Sequence, residues 1–509
     1  MMGRTTSQGC IHPRRGSRRR RSSSIVVLLL AVTLVSTACG ARLTAAQLAA
    51  ANASGSNGLG SGGSGTGSNA KSGTGATGTT VAGSAGSAGS GATGGGSATG
   101  GGAATGGGST GGGSTGGGAV ASGPTCPNGA AGSGPGVSAS TITLGNVSTI
   151  TGPVPGLFTS ARLGTQAFVA YQNSIGGVCG RKLALDSADD NLAEAQNSTA
   201  VQSLTGQVLA FVGSFSLADD GGAPAMASAG VPDIGEALTP ARFNLPDNFS
   251  PSPEVGGFIT GPFQYFAQKF GSNVTQHMAL LEEDQGAAQA QGTAQERAME
   301  SVGYKFVYKA TSISPTTSDF GSYIASMKSA GVQGLIFEAT AAVYGAMASQ
   351  MYTAGYTIPF ANWGAPAYDP QFITTGGPGA NGAILEQVLA MYEGQDAAAI
   401  PEVGLFDKWY SSVSGGQVPT IFATYGWLSG MLFVQGINAG GAPTRAALIN
   451  GLKTITNFGG NGLVAPVNPA AKTPPSCFII IDVNSGKFVR DPSTPSGFTC
   501  SGSLYLVRR

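Results

Sequence analysis

The residues of this sequence best suited to chemistry lie between Leu209 and Pro240, where an apolar run and a second short strand each stop at a glycine and give way to a loop with polar side chains. The run Val208–Val212 ends at Gly213 and is followed by Ser214, Ser216, Asp219 and Asp220; the run Val231–Ile234 ends at Gly235 and is followed by Glu236 to Thr239. In an open parallel sheet, ligands sit beyond the carboxyl ends of the strands, where loops are polar and backbone groups are free. Hydroxyls and free N–H groups hold an anionic or carbonyl oxygen without a counter-charge, so this pattern is suited to binding. Hydrolysis by a Ser-His pair would have to use His277, because the only other histidine, His12, lies in the export segment. His277 begins an apolar run instead of ending one, and no Gly-x-Ser-x-Gly elbow occurs after residue 125.

The elements that must position these loops alternate between the two structural periods. Thr141–Val147 alternates as a strand, and Phe158–Tyr171 carries apolar residues at helical spacing. Lys182–Asp186 reads as a strand, and Asn191 is placed to cap a helix over Leu192–Thr205. Ala223–Ala229 is helical in character; beyond it, strands are expected at Met278–Leu281, Lys305–Ala310, Gly334–Glu338 and Pro359–Trp363. Helices between them are expected at Ala290–Val302, Phe320–Ala330 and Ala341–Ala354. This alternation predicts doubly wound α/β lobes, with a second set of binding loops after Leu281, Glu338 and Trp363.

Composition restricts the folded part. Most of the excess of glycine over an average share sits before residue 125, and Ala51–Gly123 has too few large apolar residues to offset chain entropy, so it reads as a flexible tether. Residues 1–125 carry nine basic side chains and no acidic one, which leaves 17 basic against 25 acidic in residues 126–509. A surface about eight units negative argues against nucleic acid as a partner. The chain opens with an Arg-rich segment and an apolar run, Ile25–Val35, too short to span a bilayer, as an export signal does. Sec and twin-Arg export both remain open. With Cys10 in the signal, four cysteines remain after Cys39, an even number in an exported chain. Of their three pairings, Cys126–Cys179 with Cys477–Cys500 is favoured because each closes a local loop. Metal binding is the weaker option, since the spacings match no zinc pattern, and neither metal nor cofactor is expected.

Two resemblances add to this reading. Ser36-Thr37-Ala38-Cys39-Gly40 resembles the lipobox of bacterial lipoproteins, in which the cysteine becomes the lipidated first residue; the alternative is an ordinary cleaved signal. The runs TITLGNVSTITGP, VLAFVGSFS, AGVPDIGEALTP and TYGWLSGMLFVQGINAGG, in that order and spacing over residues 138–490, resemble the type I periplasmic binding proteins of the branched-chain amino acid and amide group. These are substrate-binding subunits of ABC importers. The resemblance implies two Rossmann-like lobes joined by three crossovers: residues 126–255 as the first part of lobe 1, 256–393 as lobe 2, and 394–509 as the return to lobe 1 with a final crossover, preceded by a signal over 1–39 and a linker over 40–125.

The same resemblance implies a ligand set. In the first lobe it comprises Ser148, Thr149 and Thr151, then Ser214, Phe215 and Ser216, then Glu236, Ala237, Leu238 and Thr239. In the second it comprises Asp284 and Gln285, Glu338, Thr340 and Tyr344, and Trp363 and Tyr368. Core packing is the alternative for the aromatic residues, and capping or turn duty for the hydroxyls. The sequence departs from the amino-acid binders where they place a Tyr after the first strand of the second lobe, because EEDQGAAQAQG has only Gly and Ala there. An ammonium would then have to be met by Glu236, Asp284 or Glu338, or the ligand is not an amino acid. The implied function is an exported, lipid-anchored, non-enzymatic solute-binding protein that delivers a small polar ligand to an ABC permease. It would sit on the outer face of the cytoplasmic membrane, in the cell wall or in the periplasmic space. A ligand-sensing ectodomain and an exported hydrolase are the alternatives. If Cys39 carries the anchor, Cys39→Ala should release the protein from membranes or leave it uncleaved, as read by fractionation; wild-type protein that is wholly soluble and carries no lipid by mass spectrometry would contradict this.

Overall fold

The computed structural model describes Cys126, residues 132–494 and residues 496–507; the export segment, Cys39 and the Gly-rich stretch lie outside the described residues. Five parallel strands form the first sheet: β1 (Thr141–Ser148), β2 (Lys182–Asp189), β3 (Ala210–Val212), β4 (Asp233–Ile234) and β5 (Asn248–Phe249), in the order β2-β1-β3-β4-β5. After β6 (Gly257–Ile259) come β7 (Met278–Glu283), β8 (Phe306–Ile313), β9 (Gly334–Glu338), β10 (Phe360–Asn362) and β11 (Ile384–Gln387). These five are joined by β12 (Ile479–Asn484) and β13 (Lys487–Arg490) in a sheet ordered β13-β12-β11-β10-β9-β7-β8, where β12 alone runs antiparallel to its neighbours, β11 and β13. The last strand, β14 (Leu504–Leu506), pairs with β6.

The two α/β lobes expected from the alternation are therefore present. β7 is buried along its whole length and β9 over all but its last residue, as strands of a parallel sheet covered on both faces must be. The chain passes from the first sheet to the second after β5, leaves it after β11, and returns to it at β12. Between the last two passages, residues 401–454 supply three helices, Pro401–Val413, Ile421–Gly440 and Arg445–Thr454. Ile421–Gly440 crosses the first-lobe helix Thr159–Ser174 at a distance only glycine permits, since a Cβ on Gly164 would stand 1.9 Å from the Ala423 carbonyl and one on Gly426 2.2 Å from that of Ala161. Trp427 locks the crossing against Phe168 and Tyr171, with ring centroids 5.3 and 5.5 Å away, and its indole N–H donates to Glu402. Of residues 394–509, the helical part thus packs on the first lobe, while residues 479–490 complete the second sheet.

Two local expectations have definite outcomes. Both favoured disulfides are present, Cys126–Cys179 and Cys477–Cys500. Asn191 does not cap a helix: the helix begins at Glu194, and Asn191 and Leu192 both take positive φ in a tight turn whose N–H groups donate to Asp189 and Asp190. Two consecutive acidic side chains outcompete the asparagine for the local N–H groups.

At the open ends of β3 and β4 one buried arginine fixes the chain. Arg242 is 1% exposed and donates from Nε and Nη2 to both oxygens of Asp233, each at 2.8 Å. Its Nη1 reaches Asp219 at 3.3 Å and the carbonyls of Ser214 and Glu236 at 3.2 and 3.1 Å. One guanidinium thus holds β4, the loop after β3 and the loop after β4. Removing one partner of a buried ionic cluster leaves uncompensated charge, at a cost of about 3–5 kcal/mol. Arg242→Ala should lose stability on that scale in denaturant unfolding; a loss below about 1 kcal/mol would mean the network does not hold the lobe.

Candidate functional site

Gly213 ends β3 with φ of +66°, a conformation that turns the chain into the loop Ser214–Ser216. The hydroxyls expected to meet a ligand there are spent inside the fold. Ser214 Oγ accepts from Val147 N, and Ser148 Oγ accepts from Phe215 N and donates to Asn146. Thr149 donates to Asp190 at 2.7 Å, while Ser216 Oγ accepts from Ala218 N. Each of these four residues is at most 2% exposed.

The free N–H groups are also taken, and by carboxylates of the chain itself. After β4, Leu238 N and Thr239 N donate to Asp219 at 2.8 and 3.1 Å, and the Thr239 hydroxyl adds a third bond at 2.5 Å. After β1, Ile150 N, Thr151 N and the Thr151 hydroxyl all donate to Asp189. Burial alone would raise the Asp189 carboxyl, but these bonds hold it below its usual range. Asp219 is lifted by burial against the pull of Arg242. Two cradles that would suit an external anion are therefore filled from within.

The open space lies between the lobes. A cavity of about 490 Å³ draws its wall from the first lobe, the second lobe and the passages joining them. Of the expected ligand set, Phe215, Glu236, Leu238, Glu338 and Thr340 line it. Ser148, Thr149, Thr151, Ser214, Ser216, Ala237 and Thr239 do not. Nor do Asp284, Gln285, Tyr344, Trp363 and Tyr368. Asp284 is exposed beyond β7, and Gln285 stands at the start of the next helix. The three aromatic residues are core: Trp363, 2% exposed, packs against Tyr344 and Phe372, and Tyr368 packs between Tyr392 and Phe488. Tyr344 Oη accepts from Ala339 N at 2.9 Å and so braces the loop after β9.

The wall that does face the cavity has two characters. On the first-lobe side Phe158, Phe215 and Phe422 form a triangle of rings 4.8 to 5.0 Å apart, with Tyr425 stacked on Phe215 at 5.8 Å. Facing them are carboxyl groups brought by strand ends and a passage: Glu236 after β4, Glu254 before β6, Glu283 ending β7, Glu338 ending β9 and Glu386 in β11. Tyr425 donates to Glu254 at 2.5 Å and Gln295 to Glu386 at 2.9 Å. Glu236 receives the Ser250 hydroxyl on one oxygen, while its other, Oε1, is buried without a partner. No Lys, Arg or His lines the cavity among the described residues.

Burial moves all five carboxyls upward. Desolvation pushes Glu338 up to about 8, with Glu386 and other carboxylates adding repulsion. Glu283 and Glu386 rise to about 7, in both cases chiefly through burial. Glu236 and Glu254 rise for the same reason.

With the geometry in hand, the periplasmic binding protein family model matches residues 141–487. The chain belongs to that family. Solved structures share its fold at low identity. A leucine-binding protein from Thermotoga maritima is 15% identical, with a TM-score of 0.57 over 69% of this chain and 97% of that one. A fatty acid ABC transporter substrate-binding protein from Thermomonospora curvata is 19% identical, with a TM-score of 0.60 over 74% and 96%. A branched-chain amino acid ABC transporter protein from Thermus thermophilus, solved with bound valine, is 15% identical, with a TM-score of 0.60 over 72% and 98%. Curated proteins yield no match.

Several wall residues of this periplasmic binding protein escaped sequence reasoning. Glu283 was missed because β7 runs two residues past its apolar stretch, through buried Glu282 and Glu283. Glu386 and Gln387 sit in a four-residue strand with no distinct pattern. Glu254 sits in the passage between β5 and β6, and Phe422 and Tyr425 lie in a helix distant in sequence from any strand end of the sheets, so only the passages between lobes bring them in.

The raised carboxyls have a consequence for stability. A group whose folded pKa exceeds its unfolded value keeps its proton on folding, so its contribution is complete below about pH 4.5 and is lost as pH rises through the folded value. For Glu283, Glu386 and Glu338 that loss spans pH 5 to about 8, at about 1.4 kcal/mol per pH unit for each full proton retained. The melting temperature of ligand-free protein should therefore fall from pH 5 to pH 8.5, and Glu338→Gln should flatten the fall. A melting temperature that rises over this window would contradict the assignment.

Proposed function

We propose that this periplasmic binding protein is an exported, lipid-anchored solute receptor that captures a small polar ligand between its lobes and passes it to the permease of an ABC importer. The observation that carries this reading is the cavity of about 490 Å³ walled by strand-end loops of both sheets, a size and placement typical of ligand sites. Family membership supports it, as do neighbours named as substrate-binding proteins of ABC transporters for amino acids and for fatty acids. The Ile25–Val35 run and Cys39 support export and anchoring. Phe215, Glu236, Leu238, Glu338 and Thr340, joined by Glu254, Glu283, Glu386, Phe422 and Tyr425, are proposed to form the contact surface.

Closure of two lobes on a ligand buries surface from both, so the wall and the shape should respond together. A thermal-shift screen, in which any compound that binds only the folded state raises the melting temperature, supplies the ligand. Saturation with that compound should reduce the radius of gyration in solution scattering, and Phe422→Ala should weaken its binding roughly tenfold, equivalent to about 1.4 kcal/mol. Unchanged scattering together with unchanged affinity in Phe422→Ala would place the site elsewhere.

A further inference from the structure

The cavity has a chemistry more specific than its fold. Five glutamates reach it, no basic side chain does among the described residues, and the nearby arginine, Arg242, is committed to Asp233 and Asp219. Glu236 is 4% exposed, lines the cavity, and keeps Oε1 buried without a partner. A desolvated carboxyl oxygen without a donor is costly, and a ligand donor can reach it once closure of the lobes shifts the wall.

A ligand carboxylate finds the opposite situation. The Leu238 and Thr239 N–H groups already serve Asp219, those of Ile150 and Thr151 serve Asp189, the Ser148 and Ser214 hydroxyls brace β1 against the loop after β3, and the Ser216 hydroxyl accepts from Ala218 N. An anion would meet five glutamates with no cation to oppose them. Metal ions are poorly served too: among the described residues no three His, Cys, Asp or Glu side chains converge on one point. The rest of the wall is mainly apolar, with Asp369 and amide side chains such as Gln291 and Gln371 among it, and its aromatic part groups the faces and edges of Phe158, Phe215, Phe422 and Tyr425 on one side. Aromatic rings beside carboxylates favour an ammonium on an apolar body, because the ring quadrupole and the carboxylate attract the same charge.

We propose that the cavity takes an organic cation, an amine or quaternary ammonium on an apolar body that carries no carboxylate. This rests on the interlobe reading of the site and narrows its ligand class. The upward displacement of Glu283, Glu338 and Glu386 agrees with it, since an entering cation would bring these groups back toward ionisation.

The test uses the intact protein and four probes of one size: phenethylamine as cation, phenethyl alcohol as neutral analogue, 3-phenylpropionate as anion and phenylalanine as zwitterion, with benzyltrimethylammonium as a second cation. Calorimetry should give both cations at least tenfold tighter binding than the neutral and anionic probes. Glu236→Gln and Glu338→Gln should each weaken the cations at least fivefold and leave phenethyl alcohol unchanged; Glu254→Gln serves if either variant fails to fold. Tighter binding of phenylalanine or 3-phenylpropionate, weakened by Phe422→Ala, would overturn the cation assignment and leave the interlobe site standing. Failure of both cations to bind at millimolar concentration would also overturn it, while the scattering measurement still decides the interlobe reading. Binding of every probe that ignores all the cavity variants would overturn both.

Discussion

The buried guanidinium of Arg242 is the constraint on which the binding face of the first lobe depends. β3 and β4 contribute only three and two residues to the sheet, too few for their loops to be held by strand pairing alone. Arg242 supplies the missing order by bonding Asp233 inside β4, Asp219 after β3 and two carbonyls of the loops themselves. Asp219 then turns its carboxylate onto the N–H groups of Leu238 and Thr239. The charge that orders the loops therefore also fills the place an external anion would take, so stability and ligand choice come from the same network.

The second lobe contributes through a different physical effect. Parallel strands end in register toward the interlobe space, and β7, β9 and β11 each carry a glutamate at or beside their last position. Holding such groups away from water is unfavourable, which is the main reason their proton affinities rise, and repulsion from neighbouring carboxylates adds to it at Glu338 and Glu386. Carboxyls displaced in this way, grouped in a cleft, are a common feature of functional sites. The aromatic half offers apolar area without polar demand. The two halves meet at Tyr425, whose ring stacks on Phe215 and whose hydroxyl bonds Glu254.

Much of the fold was legible in the sequence because buried parallel strands are written as short apolar runs that stop at glycine or at a polar residue, and Gly334–Glu338 matches its expected bounds. Glu236 and Glu338 were legible for the same reason, as first polar positions after such runs. Asp284 was chosen where Glu283 lines the cavity, because hydropathy ended β7 at Leu281 while the buried ladder continues. Trp363, Tyr344 and Tyr368 follow strand ends or open a helix, but their rings turn into the core, an orientation that depends on packing partners such as Phe372 and Tyr392. The hydroxyl loops were located correctly in the chain, yet their donors are satisfied by Asp189, Asp190 and Asp219, which sequence order alone does not place within reach.

A crystal structure of the protein saturated with its tightest-binding ligand tests the central claim most directly. The account predicts ligand density between the two sheets, with its polar group against Glu236 Oε1 and its apolar body against Phe422, while the Asp219 bonds to Leu238 and Thr239 persist. Density on an outer face of either lobe, or a ligand carboxylate that displaces Asp219 from those N–H groups, would contradict it.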